Sequence, residues 1–105
     1  MSGSGGGISP SFKNEELLCE DISFSTKLAT PNPEVLFTLK IGDLLEILSE
    51  PPSGLRAYTK DGELAGSLLT TFRNKLVTCL AQKHRYIGKV TKLSGGSCEI
   101  YVTTI

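Results

Sequence analysis

A stripe of basic and aromatic residues is the part of this 105-residue sequence that comes nearest to a recognisable binding chemistry. Side chains alternate between two faces along the predicted strand 55–60, so Arg56, Tyr58 and Lys60 share one face. Surfaces that bind single-stranded nucleic acid combine cations for the phosphates with rings for stacking, worth about 1–3 kcal/mol per base. The stripe therefore predicts a nucleic-acid-binding face. The alternative is that these side chains point outward only for solubility and cross-strand packing.

Further residues of the same types follow the predicted helix. Arg85, Tyr86 and Lys89 fall at the start of a β-rich segment, where they would extend the binding face, with Tyr101 as an alternative to Tyr86. A basic cluster at a helix C-terminus also has a purely structural reason, because positive charge complements the helix dipole.

Catalytic and metal chemistry find little support in the sequence. The single histidine, His84, lies between two cations, Lys83 and Arg85, which makes it a poor partner for a cysteine on a distant strand. The paired carboxylates Glu15-Glu16 and Glu20-Asp21 lie in a polar segment, and no phosphate-binding glycine motif occurs. We therefore predict a non-catalytic protein without a cofactor or a metal site.

Three cysteines, Cys19, Cys79 and Cys98, are widely and irregularly spaced. A secreted disulfide scaffold is denser and usually has an even count, so we predict three reduced thiols and a cytoplasmic location. No apolar run approaches the roughly 20 residues that span a bilayer, which predicts no membrane segment. Residues 1–13 are glycine-rich and predict a disordered tail, followed by a single domain over residues 14–105.

Charge is divided unevenly along the chain, although the formal net charge is zero. Residues 1–55 hold three lysines and eight acidic residues, whereas residues 56–105 hold eight basic and three acidic residues. Such asymmetry favours an anionic partner for the basic half. The alternative is that both halves share one compact barrel, on which the opposite charges pair.

Strands are predicted by period-2 alternation and by turn signals. The run 44–48 is apolar on both sides, as a strand buried on both faces would be. Gly66 marks either a bulge or a close approach of main chain. The run 35–39 fits a strand or a turn of helix, and residues 14–20 predict a short helix. The predicted strands are 22–28, 44–48, 55–59, 63–68, 86–93 and 98–105.

One amphipathic helix is predicted over residues 69–83. Its apolar residues form a single stripe that we expect to be buried under the sheet: Leu69, Phe72, Leu76, Cys79 and Leu80. Short strands with one helix inserted late predict a mainly β (or α+β) fold, a small, partly open antiparallel β-barrel of the oligonucleotide-binding or SH3-like kind. A split α+β roll is the second architecture.

The segment 40–105 resembles the HIRAN domain, a small barrel found attached to helicases and also alone. The matching stretches are 41–47 (IGDLLEI), Ser49-Glu50-Pro51 and 61–68 (DGELAGSL), followed by the helix and a last hairpin. The resemblance implies the barrel and nucleic-acid binding, with Glu50, Pro51, Ala57 and Gly66 as structural positions. The family's Asp between the Glu-Pro pair and the next strand is missing here, so its preference for the 3′ end of single-stranded DNA is not carried over.

Two hypotheses of function follow. The first is a non-catalytic module that binds single-stranded nucleic acid on the face of Arg56, Tyr58 and Lys60. The second is an interaction or structural module that meets a protein partner. Salt separates them, because phosphate contacts weaken steeply with salt and an apolar interface does not.

Overall fold

Six strands and two helices are formed by residues 18–51 and 54–105, the parts of the chain that the computed structural model describes. The helices are α1 (Pro33–Leu36) and α2 (Arg73–Ala81), and a 3-10 turn spans Cys19–Asp21. The strands are β1 (Phe24–Lys27), β2 (Leu44–Glu50), β3 (Gly54–Tyr58), β4 (Leu64–Leu68), β5 (Tyr86–Ser94) and β6 (Ser97–Thr104).

All strand pairs are antiparallel, and the sheet has the order β1-β6-β5-β2-β3-β4. The two edges of the sheet meet just after β1. There the Ala29 N–H donates to the Ser67 carbonyl at 2.8 Å, and the Ser67 N–H donates back at 2.9 Å. A single bridge thus joins the sheet edges, which confirms the predicted small, partly open β-barrel.

Gly66 makes that closure possible. A Cβ atom at this position would lie 3.1 Å from both the Ala29 carbonyl oxygen and the Leu28 Cβ. The β3–β4 register also shifts beside it, between Ala57 and Tyr58. The main chain approaches closely here and a bulge lies next to it, so both interpretations of Gly66 are confirmed.

The barrel interior is filled by alternate residues of the strands, as the period-2 pattern predicts. Leu45 and Ile47 of β2 are buried with Val90, Ile100 and Val102 from the strands on one side of it. The prediction that β2 is buried on both faces is wrong. Leu44 is 53% exposed and Leu48 is 37% exposed, because no described element covers the outer face of the sheet.

The helix α2 lies against the barrel, with Leu76 and Cys79 completely buried. Phe72 stacks on Phe24 of β1, with ring centroids 5.1 Å apart. The helix is shorter than predicted, because the Phe72 N–H is bound by the Thr70 hydroxyl in a local turn before the helix begins. Leu69 therefore lies in the connection and is 75% exposed, so its predicted burial is wrong.

The N-terminal half contains two short helical pieces. The run predicted as strand or helix contributes to α1, whose Asn32 side chain accepts from the Glu34 N–H at 3.2 Å. Of the helix predicted at 14–20, the described part enters only the 3-10 turn at Cys19–Asp21. The tail predicted at 1–13 lies outside the described residues.

The prediction of three reduced cysteines is wrong for two of them. Cys19 and Cys79 form a disulfide, with their Cα atoms 5.7 Å apart, and Cys98 is a buried free thiol. The spacing of the cysteines does not predict this bond, because it spans 60 positions and depends on the barrel bringing the 3-10 turn against α2. In the described part of the chain, neither helix has the length and apolar character that crossing a membrane requires.

Candidate functional site

The predicted binding stripe lies partly on β3. Arg56 and Tyr58 point outward from this strand and are half-buried, while Leu55 and Ala57 between them are buried in the barrel. Lys60 is exposed but lies in the turn beyond the strand. The period-2 alternation is therefore correct for Arg56 and Tyr58 only.

Glu50 engages both of these residues from the neighbouring strand β2. The Tyr58 hydroxyl donates to Glu50 Oε2 at 2.5 Å, and Arg56 Nε lies 3.5 Å from Glu50 Oε1. The hydrogen bond to Glu50 is the main reason why the pKa of Tyr58 is raised above 10.0. Burial and the negative charge of Glu50 raise this pKa further, and Arg56 opposes them. An internal carboxylate thus occupies the polar groups that the stripe would offer to a phosphate.

Two of the remaining predicted cations lie further along the same side of the sheet. Arg85 Nη2 lies 3.5 Å from Glu46 Oε2, in an exposed ion pair. Lys89 is exposed on β5, where it lies opposite Leu44 of β2 on one side and Tyr101 of β6 on the other.

Tyr86 does not belong to any surface, so its assignment to the binding face is wrong. Its side chain is completely buried, and its hydroxyl donates to the Cys19 carbonyl at 2.6 Å. Burial, aided by the charge of Glu20, raises the pKa of this phenol. The ring faces inward because Tyr86 is in phase with Gly88 and Val90, which also point into the barrel. Tyr101, the alternative ring, is 41% exposed.

The apolar character of this side of the sheet is a feature that the sequence patterns did not predict. The outer face, as we call it, consists of outward-pointing residues of four adjacent strands that lie in register. One row across it contains Tyr101, Lys89 and Leu44, and the next contains Ile87, Glu46 and Tyr58. Leu48 and Arg56 form a third pair beside them. The signal is present in β2, where Leu44 and Leu48 are apolar residues on the outward phase, although the same pattern is typical of a strand buried on both faces.

Carboxylates and cations alternate across the outer face. Around Leu44 and Leu48 the charged groups are Glu46, Glu50, Arg56, Lys89 and Arg85, which lies just before β5, and two ion pairs join four of them. Further along the same face, Lys92 of β5 lies opposite Glu99 of β6. Over residues 18–51 and 54–105, no group of three histidine, cysteine, aspartate or glutamate side chains is arranged to hold a metal ion.

Comparison with known proteins informs the fold. No protein-family model matches the chain, and no curated protein matches its sequence. One similar solved structure is the crystal structure of a protein from Lactobacillus plantarum determined by structural genomics, with a TM-score of 0.68. The two sequences are 16% identical over 79% of this chain and 93% of that one. At this identity the likeness concerns the fold alone.

Proposed function

We propose that this chain is a non-catalytic binding module that docks a folded protein on the outer face of its sheet. One observation carries the proposal: Leu44, Leu48 and Tyr101 are 53%, 37% and 41% exposed on the same side of the sheet. Lys89 lies between Leu44 and Tyr101, and Glu46 lies between Leu44 and Leu48, so these apolar side chains are interspersed with charged ones. Exposed apolar side chains with polar groups around them are typical of protein interaction sites. Tyrosine and arginine, both present here, are enriched in protein interfaces.

The charges of the outer face favour a protein partner over a polyanion. Arg56 and Arg85 each lie beside a glutamate, and Lys92 lies opposite Glu99. Of the described cations Arg56, Arg85 and Lys89, only Lys89 lies outside the two ion pairs. A nucleic acid gains its affinity mainly from phosphate neutralisation, and the two glutamates oppose that gain. A protein surface with its own mixed charges around an apolar centre complements this arrangement better.

The second candidate is the binding of single-stranded nucleic acid, which the resemblance to the HIRAN domain implies. The observation in its favour is that Lys89 lies directly opposite Tyr101, so that a cation and an exposed ring are neighbours. Lys60 is exposed in the turn between β3 and β4 and lines the same pocket as Leu44. This candidate uses Lys89, Tyr101 and Lys60, with Arg56, Tyr58 and Arg85 contributing only if their ion pairs with glutamate open.

Location bears on the choice of partner. The cytoplasmic location was predicted from three reduced thiols, and that argument is lost with the bond between Cys19 and Cys79. Disulfides persist mainly in oxidising compartments, so partners found in such compartments become candidates.

Site-specific photo-crosslinking tests the protein-docking proposal. A benzophenone amino acid replaces Leu44 in one sample and, as a matched control, the exposed Leu69 in another, and both are irradiated in lysate of the source cells. We expect one dominant protein adduct from position 44 and not from position 69. The adducted protein is then purified and titrated calorimetrically, where Leu44→Asp should weaken binding by about tenfold or more. Equal adducts at both positions, or a purified partner that binds Leu44→Asp unchanged, would contradict the proposal.

An oligonucleotide titration tests the second candidate. Single- and double-stranded oligonucleotides of about 20 nucleotides are titrated at about 50 and 200 mM salt, the range over which phosphate contacts lose most of their affinity. Protein docking predicts no binding at either salt concentration. Salt-sensitive binding of the single strand that Tyr101→Ala reduces, and that Leu69→Ala does not, would favour the second candidate.

A further inference from the structure

A groove separates the end of β2 from the helix α2, next to the outer face. It has a volume of about 590 Å³, and its walls include Leu48 and Ser49 on one side and Val77 and Leu80 on the other. Leu48 belongs to both the groove and the outer face, so the two surfaces are continuous. The groove exists because β5 stops pairing with β2 at Tyr86, opposite Ile47, while β2 continues to Glu50.

The main chain turns away at this point for a local reason. Lys83 adopts a positive φ of 77°, and the His84 N–H donates to the Cys79 carbonyl at 3.1 Å. These two features end α2 and hold residues 83 and 84 against the helix. The chain reaches the sheet only at Tyr86, so β5 places no residue opposite Ser49.

The main-chain groups of Ser49 consequently face the groove. Val90 N–H donates to the Asp43 carbonyl at 2.8 Å, which shows that Asp43 turns its main chain towards β5. Main-chain groups alternate in direction along an antiparallel strand, so Leu45, Ile47 and Ser49 turn the same way. A strand edge that extends past its neighbour is a template for an added strand.

The charged side chains around the groove favour an acidic ligand. Lys83, His84 and Arg85 line the groove, and Glu46, which lies beside Arg85, is the only acidic residue among the described side chains that line it. An adjoining groove of about 390 Å³ shares Ser49 and Val77 and reaches Arg73 at the start of α2. The helix is about 13 Å long at 1.5 Å per residue, which matches roughly four extended residues at 3.3 Å each.

We infer that this groove binds an extended, acidic segment of a partner protein by adding it as a short strand beside Ser49. About four residues of the segment would lie along α2, with an apolar side chain against Val77 and Leu80 and a carboxylate beside Lys83 and Arg85. The inference rests on the proposed function, since it names the chemistry of the segment that a protein docked on the outer face would insert here.

Peptide selection tests this inference and does not require the partner itself. A phage-displayed library of random peptides, each about 12 residues long, is selected on the full chain, kept oxidised, and enriched peptides are synthesised and measured by fluorescence anisotropy. We expect enrichment of sequences in which apolar residues alternate with aspartate or glutamate. Methylating the main-chain nitrogen at alternate peptide positions should weaken binding about tenfold in one phase of the strand only, because only one phase faces β2.

Variants of the chain locate the bound peptide. Lys83→Glu and Val77→Glu should each weaken binding about tenfold, and Lys92→Glu, an exposed lysine on β5 away from the groove, should stay within about twofold. Lys83 is exposed, so its variant reports binding even if Val77→Glu unfolds.

No enriched peptide, or enriched peptides that bind both groove variants unchanged, would overturn the inference. Loss of binding in Leu44→Asp with both groove variants unaffected would overturn it while leaving protein docking on the outer face intact. Displacement of the peptide by a single-stranded oligonucleotide at low salt would overturn it as well and would assign the groove to nucleic acid.

Discussion

Cys19 and Cys79 are joined by a disulfide that ties the 3-10 turn at the start of the described chain to the buried side of α2. The same turn is held from the sheet, because the Tyr86 hydroxyl donates to the Cys19 carbonyl at 2.6 Å. One side of Cys19 is thus fixed to the helix and the other to the barrel. Ile22, just beyond the turn, is 1% exposed, so the disulfide also secures the entry of the first strand into the core.

Reduction of this disulfide should destabilise the fold. The bond closes a loop of 60 positions, for which the loss of unfolded-state entropy gives about 4 kcal/mol. We expect the free energy of unfolding in guanidinium to fall by about that amount when dithiothreitol is added. The double variant Cys19→Ser/Cys79→Ser is the control and should not respond to the reductant. Alkylation of the unfolded, unreduced protein should label Cys98 alone, and labelling of all three cysteines would contradict the disulfide.

Truncation of the helix core should show which part of the predicted apolar stripe is packed. Leu76 is completely buried, so Leu76→Ala should lower the free energy of unfolding by about 2–5 kcal/mol. Leu69 belongs to the same sequence pattern but is 75% exposed, so Leu69→Ala should change it by no more than about 0.5 kcal/mol. The two leucines provide a matched pair in chemical denaturation. Similar losses in both variants would mean that the helix begins earlier than Arg73.

Local patterns predicted most of the fold because the elements agree with their own periodicities. Alternation placed Leu55 and Ala57 inside and Arg56 and Tyr58 outside, and the 3.6-residue pattern placed Leu76 and Cys79 under the sheet. Alternation does not predict burial where another element would have to cover the outer side of a strand. β2 is apolar on both sides, yet Leu44 and Leu48 stay exposed since no described residue packs over them.

The candidate site was less predictable, because it depends on cross-strand register. Glu50 lies opposite Gly54 in the register of β2 and β3, and its side chain reaches Arg56 and Tyr58 further along β3. Tyr86 was misplaced for a similar reason: its phase along β5 is inward, and the three residues before it show no alternation from which to judge this. The disulfide is the extreme case, since contact between positions 19 and 79 is a property of the closed barrel alone.

Closure of the barrel should depend on the absence of a side chain at Gly66. A Cβ there would meet the Ala29 carbonyl oxygen and the Leu28 Cβ at 3.1 Å, so the bridge between Ala29 and Ser67 would have to move. We expect Gly66→Ala to lower the free energy of unfolding by about 1–3 kcal/mol. Ser67→Ala is the control and should be nearly neutral, because Ser67 contributes its main chain to the bridge. Hydrogen exchange should also show faster loss of the Ala29 amide proton in Gly66→Ala. Unchanged exchange would mean that the bridge tolerates the methyl group.

Titration of Tyr58 should reveal the carboxylate that faces it. The hydrogen bond to Glu50 favours the protonated phenol, so the pKa of Tyr58 in the folded protein is raised above its ordinary value of 10.0. A raised folded-state pKa means that the contribution of this bond to stability is complete below the unfolded-state pKa, near 10. The contribution is lost as pH rises through the higher folded-state pKa.

Ring carbon-labelled tyrosine and NMR would follow the titration of Tyr58 separately from that of the other two tyrosines. Glu50→Gln removes the charge and should bring the pKa of Tyr58 down towards 10. Glu46→Gln, which lies opposite Tyr58 in the register but makes its ion pair with Arg85, should leave that pKa unchanged. An equal fall in both variants would indicate a general effect of negative charge on the outer face. A fall in Glu50→Gln alone would show that Tyr58 already engages Glu50, on the surface where a phosphate would have to bind.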